Sequence, residues 1–360
     1  MSGRLLGFVL LCLLLYPLQG RAQQLRFCIA SYNVENLFDC SDNPLRADDE
    51  YLPHGQRRWS HRRYRTKLNE VAKTLLALGH DGEPPTLVGL CEVENDTVLQ
   101  ALTRQSPLRR VGYRYVITSS ADVRGINVAL LYRPDRFRLL SARSIRANLP
   151  GKRPTRDVLH ISGTFITPSA CSDTLDLFLL HLPSRMGGTH QTEPYRLHVA
   201  QAARTAIDSI CRVRQRPCLL VMGDFNEGPQ GPVLTQAFRT SLLPSTPSAP
   251  PTGTSLYQLL SPRRPSSLST IKGSYKYQGH WELIDHLLAS GTLLHSPQSP
   301  STPTGHLHLL PETAQVAPLP FLLTADRLYG GHCPLRTYYG ATYLGGLSDH
   351  LPLVVEGLIE

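Results

Sequence analysis

The stretch Leu219-Leu220-Val221-Met222-Gly223-Asp224-Phe225-Asn226 limits this chain's options more than any other. Four apolar residues without a polar interruption suit a strand buried on both faces, the kind that belongs to a layered sheet. The run stops at a glycine, then delivers a carboxylate and a carboxamide two residues apart. In extended backbone, positions i and i+2 share a side, so Asp224 and Asn226 are expected to face one ligand, with Phe225 turned away as their anchor. A buried acid at a strand end is costly unless a metal, a cation or proton transfer accounts for it.

The same design recurs along the chain. An apolar run over residues 27–31 leads to Asn33, a second over 86–91 ends in Glu92, and a third over 175–180 ends in His181. Asp285 lies in an apolar run over 282–288, and Asp349 with His350 precedes another over 351–355. Further strands are expected near 113–118, 128–132 and 160–167. Ser60 can cap a helix reaching about residue 78, with Tyr64, Leu68, Val71, Leu75 and Leu78 on one face. A second helix, about 193–214, places Val199, Ala202, Ala203, Ala206 and Ile210 together. Residues 241–269, rich in Ser and Pro, read as an irregular surface insertion. Strands alternating with helices indicate an α/β fold, and in such folds strand-end residues converge on one crevice. There is no internal repeat and no P-loop.

Residues 1–22 have Arg4, an apolar stretch over 5–18, and the small residues Gly20 and Ala22, the pattern of a secretory signal. The apolar stretch is shorter than the ~20 residues a membrane span needs, so no stable membrane anchor is expected. The protein is therefore expected to be secreted or periplasmic, with residues 23–360 forming one domain and the chain a monomer. Of eight cysteines, Cys12 lies in the leader, leaving an odd number that cannot all pair internally. Cys28 and Cys91 sit in apolar runs and read as small buried residues. The formal net charge is +9, and all but five of the 37 basic residues are arginine, whose planar fork suits phosphate. The run Arg57, Arg58, Arg62, Arg63, Arg65 and Lys67 fits either a solvated helix face or a cover for an anionic substrate.

Collected, the strand-end residues are the carboxylates Glu92, Asp224, Asp285 and Asp349, the amides Asn33 and Asn226, and the imidazoles His181 and His350. Oxygen donors of this kind suit a hard cation, Mg²⁺ with Mn²⁺ or Ca²⁺ as alternatives; zinc would call for clustered His and Cys. Carboxylates, a hard metal and two imidazoles are the equipment of hydrolytic phosphoester cleavage.

In Asn33-Val34-Glu35-Asn36, Leu90-Cys91-Glu92-Val93, His181-Leu182, Gly223-Asp224-Phe225-Asn226, Ile284-Asp285 and Ser348-Asp349-His350, the chain resembles the endonuclease/exonuclease/phosphatase superfamily. The motifs occur in the family's order across residues 27–356. Residues 33–39, His181-Leu182-Pro183-Ser184-Arg185 and Arg336-Thr337-Tyr338 further resemble a secreted bacterial subgroup. The resemblance implies a four-layer α-β-β-α sandwich, two mixed β-sheets packed face to face with helices outside. It implies metal ligation by Glu92, Asn33 and Asp349, and handling of the attacking water by Asp224 and Asn226. It further implies a His350–Asp285 pair and a phosphate contact from His181, with Arg124 and Arg185 as further phosphate contacts. Whether Asp224 or the His350–Asp285 pair is the base stays open. One departure is Asn127, where the subgroup leads one to expect an acid beside His181. The substrate, a nucleic acid or a phosphorylated lipid or small molecule, also stays open. The reading from another class is a non-catalytic binding or adhesion protein that keeps the fold and uses its arginine-rich surface.

Overall fold

The computed structural model describes residues 25–149, 151, 154–167, 172–243, 253–260, 271–294 and 305–359. The leader expected at residues 1–22 lies outside the described residues. Two mixed sheets dominate. The first runs β14 (Leu307–Val316), β19 (Leu353–Ile359), β1 (Leu25–Leu37), β2 (Leu87–Val93), β4 (Asn127–Tyr132) and β3 (Arg114–Ile117), with only β1 and β2 parallel. The second runs β5 (Phe137–Ile145), β6 (Val158–Phe165), β7 (Thr174–His181), β8 (Cys218–Asp224), β13 (Asp285–Ser290), β10 (Leu256–Gln258) and β9 (Ser241–Leu242).

The central strands are buried on both faces, which explains their uninterrupted apolar runs. Alternate side chains point between the sheets, where Ile29, Cys91, Val128 and Leu130 meet Ile161, Leu177, Leu220, Met222 and Leu287. The intervening residues point outward. Ala30, Tyr32, Val88 and Leu90 pack under helices α1 (His61–Ala77) and α2 (Asp96–Arg104), against Leu68, Val71, Leu75, Val98 and Leu102. Phe178, Leu180, Leu219 and Val221 pack under α3 (Thr189–Val213), against Val199, Ala203 and Ile207. The four-layer α-β-β-α sandwich expected from the sequence is the architecture found. Each fully buried leucine-sized side chain contributes ~1.5–3 kcal/mol, so three apolar layers outweigh any single surface contact. Gly89 lets the sheets approach closely, because a Cβ there would stand 2.5 Å from Met222 Cε.

Local signals set the helix starts. Ser60 is extended, and its hydroxyl accepts from the Arg63 N–H at 3.4 Å. The reading of 241–269 as wholly irregular is corrected in part: β10 and β9 extend the second sheet, with Leu256 and Gln258 buried. The rest of that segment lies largely outside the described residues. Three hairpins lie outside the two sheets: β11 (Tyr275–Tyr277) with β12 (His280–Glu282), β15 (Leu323–Ala325) with β16 (His332–Pro334), and β17 (Tyr338–Tyr339) with β18 (Thr342–Tyr343). All six described cysteines are free thiols, and Cys28 and Cys91 are buried as expected. Among the described residues no helix is long and apolar enough to cross a membrane.

Candidate active site

Three neighbouring strands deliver one row of side chains. His181 at the end of β7 and Asp285 at the start of β13 are both register partners of Asp224, the last residue of β8. Gly223 makes this possible. Its φ is +130°, and a Cβ would lie 2.0 Å from the Leu180 carbonyl oxygen. Phe225 turns into the outer core beside Phe238, as an anchor should. Asn226 departs from the expected extended geometry: at φ +51° it closes a turn, and its N–H donates to Asp224 Oδ1 at 2.8 Å. Its side-chain Nδ2 donates to the Leu182 carbonyl at 3.1 Å.

The first sheet supplies the facing half. Asn33 Nδ2 donates to Glu92 Oε1 at 3.3 Å and to Asp224 Oδ2 at 3.1 Å, joining the two sheets across the crevice. Glu92 sits at φ +65°, and its other oxygen accepts from the Asn36 N–H at 2.8 Å. His181 Nε2 stands 3.6 Å from Asp224 Oδ2 and 3.8 Å from Glu92 Oε1. On the far side His350 Nδ1 donates to Asp285 Oδ2 at 2.7 Å, while Nε2 faces Asp224 Oδ2 at 3.8 Å and Asp349 Oδ1 at 3.9 Å. Ser274 also donates to Asp285, and Ser348 donates to the Asn33 carbonyl at 2.7 Å. All eight strand-end residues therefore meet in one place. Of the two arginines, Arg185 is ion-paired with Glu282 of β12, and Arg124 is a half-exposed neighbour of Asp122.

The charges are uneven. Burial pushes the Asp224 carboxyl up to about 7 despite the pull of His350. Burial opposes a charge on His350, but Asp285 and Asp224 overcome it and hold the imidazole well above its ordinary range. His181 goes the other way, lowered by burial and then by the nearby Arg156 and Arg124 cations. The oxygen-rich donor set fits a hard cation. Among the described residues, Asp224, Asp285 and His350 offer ligand atoms that all lie within 4.8 Å of one another. Glu92 and Asn33 line the same crevice, whereas Asp349 gives one oxygen to Arg336 at 2.9 Å.

Several residues beside the site were given no role from the sequence. Glu35, at φ +46°, accepts from Arg336 Nη2 at 3.1 Å and from the Thr337 N–H at 2.8 Å. Lys67 donates to the Glu35 carbonyl and, at 2.7 Å, to Thr337 Oγ1. A signal for Lys67 existed: it lies three residues after Tyr64 and four before Val71, on the apolar face of α1. Asn127 makes no bond to His181; it binds the Glu94 and Gly125 carbonyls and the Ser120 N–H.

A family model described as the endonuclease/exonuclease/phosphatase family matches residues 28–357. The chain belongs to the endonuclease/exonuclease/phosphatase family. Membership carries the activity class, phosphoester hydrolysis. D. rerio TDP2 complexed with single strand DNA product has a similar fold, at 14% identity and a TM-score of 0.51, covering 92% of this chain and 98% of that one. An endonuclease/exonuclease/phosphatase family protein from Bacteroides thetaiotaomicron is similar at 15% identity and 0.51, covering 94% and 99%. The human Nocturnin catalytic domain with bound sulfate is similar at 15% and 0.51, covering 93% and 97%. At these identities the likeness is one of fold. No curated protein sequence matches the chain.

Proposed function

We propose that the protein is an exported, divalent-metal-dependent hydrolase that cleaves phosphodiesters of nucleic acid. The reading is carried by the convergence of Asp224, Asp285 and His350 into one compact, buried group. In this reading Glu92, Asn33 and Asp349 would hold Mg²⁺, with Mn²⁺ or Ca²⁺ as alternatives, and the ion would supply Lewis-acid charge for phosphoester cleavage. Asp224 is the base, because burial tunes its carboxyl near neutrality, where proton transfer is most effective. His350, kept protonated by Asp285, donates to the phosphate as charge develops. Asn226 and His181 Nε2 orient water and phosphate, and Arg124 and Arg185 meet neighbouring phosphates at the rim.

Nucleic acid is favoured by a surface that no single segment announces. Arg57 lies over the rings of Tyr51 and Tyr338 at 5.1 and 5.0 Å, and Arg63 over Tyr343 at 4.2 Å. Tyr339 on the same hairpin is 69% exposed. Tyr51 and Tyr338 are themselves buried, so a flexible polyanion would meet the charge of the arginines that cover them, with Tyr339 as the exposed ring of that hairpin on which a base can stack. The hairpin follows directly on Arg336 and Thr337, which bind Asp349 and Glu35.

The test is hydrolysis of single-stranded DNA, RNA and bis-p-nitrophenyl phosphate with Mg²⁺, Mn²⁺ or Ca²⁺, with EDTA and Asp224→Ala as controls. Cleavage that EDTA and the substitution abolish supports the reading, and steep loss of nucleic-acid affinity with salt supports the substrate. A wild-type protein inert on all three, with no rise in melting temperature at millimolar metal, would favour the binding-protein alternative. Export predicts a mature N-terminus near residue 23 in the periplasm or medium; a cytoplasmic, uncut chain would refute it.

A further inference from the structure

Arg156 carries a guanidinium that none of these roles uses. It lies just before β6 and is 7% exposed. Its Nε and Nη2 donate to two successive carbonyls, those of His181 at 3.3 Å and Leu182 at 2.7 Å, while Nη1 meets Asp122 Oδ2 at 3.2 Å. The Leu182 carbonyl also receives Asn226 Nδ2, and the Leu182 N–H donates to the Asp224 carbonyl at 2.9 Å. The Leu182 peptide is thus where the backbone of Asp224, the side chain of Asn226 and this guanidinium meet.

The His181 ring lacks support of its own. Its Nδ1 is buried without a hydrogen-bond partner, and Asn127 is engaged elsewhere. An imidazole in a catalytic site is ordinarily oriented through its second nitrogen. An ion pair with Asp122 alone would need one edge of Arg156. Two further donors, on separate nitrogens and aimed at the carbonyls of His181 and Leu182, are the spread a rigid planar fork provides and the single nitrogen of an ammonium lacks. We propose that Arg156, held by Asp122, is a positioning residue that fixes His181 and Asn226 through their shared backbone.

The proposal rests on the phosphoester-hydrolase reading for its kinetic consequence, so the test has two arms. Arg156→Gln, Arg156→Lys and Asp122→Asn are compared with wild type in melting temperature, in Mn²⁺-supported hydrolysis of bis-p-nitrophenyl phosphate, and in the ¹⁵N resonances of the His181 ring. The expected result is a folded Arg156→Gln protein with kcat down roughly 10–100-fold, KM little changed and His181 resonances displaced. Arg156→Lys recovers only part of the loss. Should Arg156→Gln fail to fold, Asp122→Asn, which leaves the guanidinium present but loosened, decides through the same readouts. Folded variants with wild-type kcat and unmoved His181 resonances would overturn the proposal. If the wild-type protein hydrolyses nothing, the hydrolase reading fails while the ¹⁵N comparison still tests the positioning.

Discussion

Asp224 and Asp285 face each other as register partners across β8 and β13, yet their carboxylates take opposite parts. Asp285 is bonded to the His350 ring at 2.7 Å, whereas Asp224 stands 3.8 Å from it and is held by Asn33 and Asn226. Asp285→Asn keeps the shape and removes the charge that keeps His350 protonated. The expected outcome is a loss of roughly 10²–10⁴ in kcat, the usual share of one general acid or base. The ¹⁵N-monitored titration of His350 should move to lower pH; an unchanged titration would contradict the pairing.

Asp224→Asn should abolish metal-supported hydrolysis and make the metal-free protein more stable. A carboxyl raised from 3.8 to about 7 keeps its proton longer in the folded state than in the unfolded one. Its penalty on stability therefore grows as pH rises through that window and is complete above about 7. At pH 8 the neutral amide avoids it, and the melting temperature should rise by about 2–4 °C or more. Added Mg²⁺ should narrow the difference by stabilising wild type preferentially.

Lys67→Met should destabilise the chain by roughly 1–3 kcal/mol in denaturant titration, because it leaves the buried Glu35 carbonyl and Thr337 hydroxyl without their donor. Burial lowers the Lys67 ammonium, and Glu35 then pulls it back up. An effect under about 1 kcal/mol, the value of a surface pair, would show that Arg336 alone satisfies Glu35.

Acid should also find His286. It is buried on β13, donates to the Glu227 carbonyl at 2.8 Å, and is lowered by burial from 6.5 to about 4. Between those values only the unfolded chain takes the proton, so stability is lost as pH falls from about 6.5 towards about 4. His286→Gln keeps a donor without the titration. Its melting curve should be flatter over that window, by on the order of 3 kcal/mol.

Much of the crevice was legible because its residues lie in or border apolar runs buried on both faces, at the end of a strand for Glu92, His181 and Asp224 and at the start of one for Asp285. β5 and β14 were not, since edge strands mix polar and apolar positions: β5 is mostly exposed along its length, and β14 contains Pro311. α2, nine residues long, was too short for its period to stand out. Lys67 and Arg336 reach Glu35 across 32 and 301 residues of chain, and Arg156 reaches Leu182 across 26. Such pairs exist only once distant stretches of the chain have packed together, so neither partner announces the other locally.

Four non-glycine residues of the site, Glu35, Asn36, Glu92 and Asn226, hold backbone at φ +46° to +65°, where an L side chain costs ~1–3 kcal/mol. Glycine would relieve that strain at any of them. A lineage freed from the need to cut phosphoesters would therefore drift towards a sturdier, blunter version of the same sandwich. Two glutamates and two asparagines in these postures concentrate the backbone strain of the sandwich at the mouth of its crevice, where stability is given up for placement.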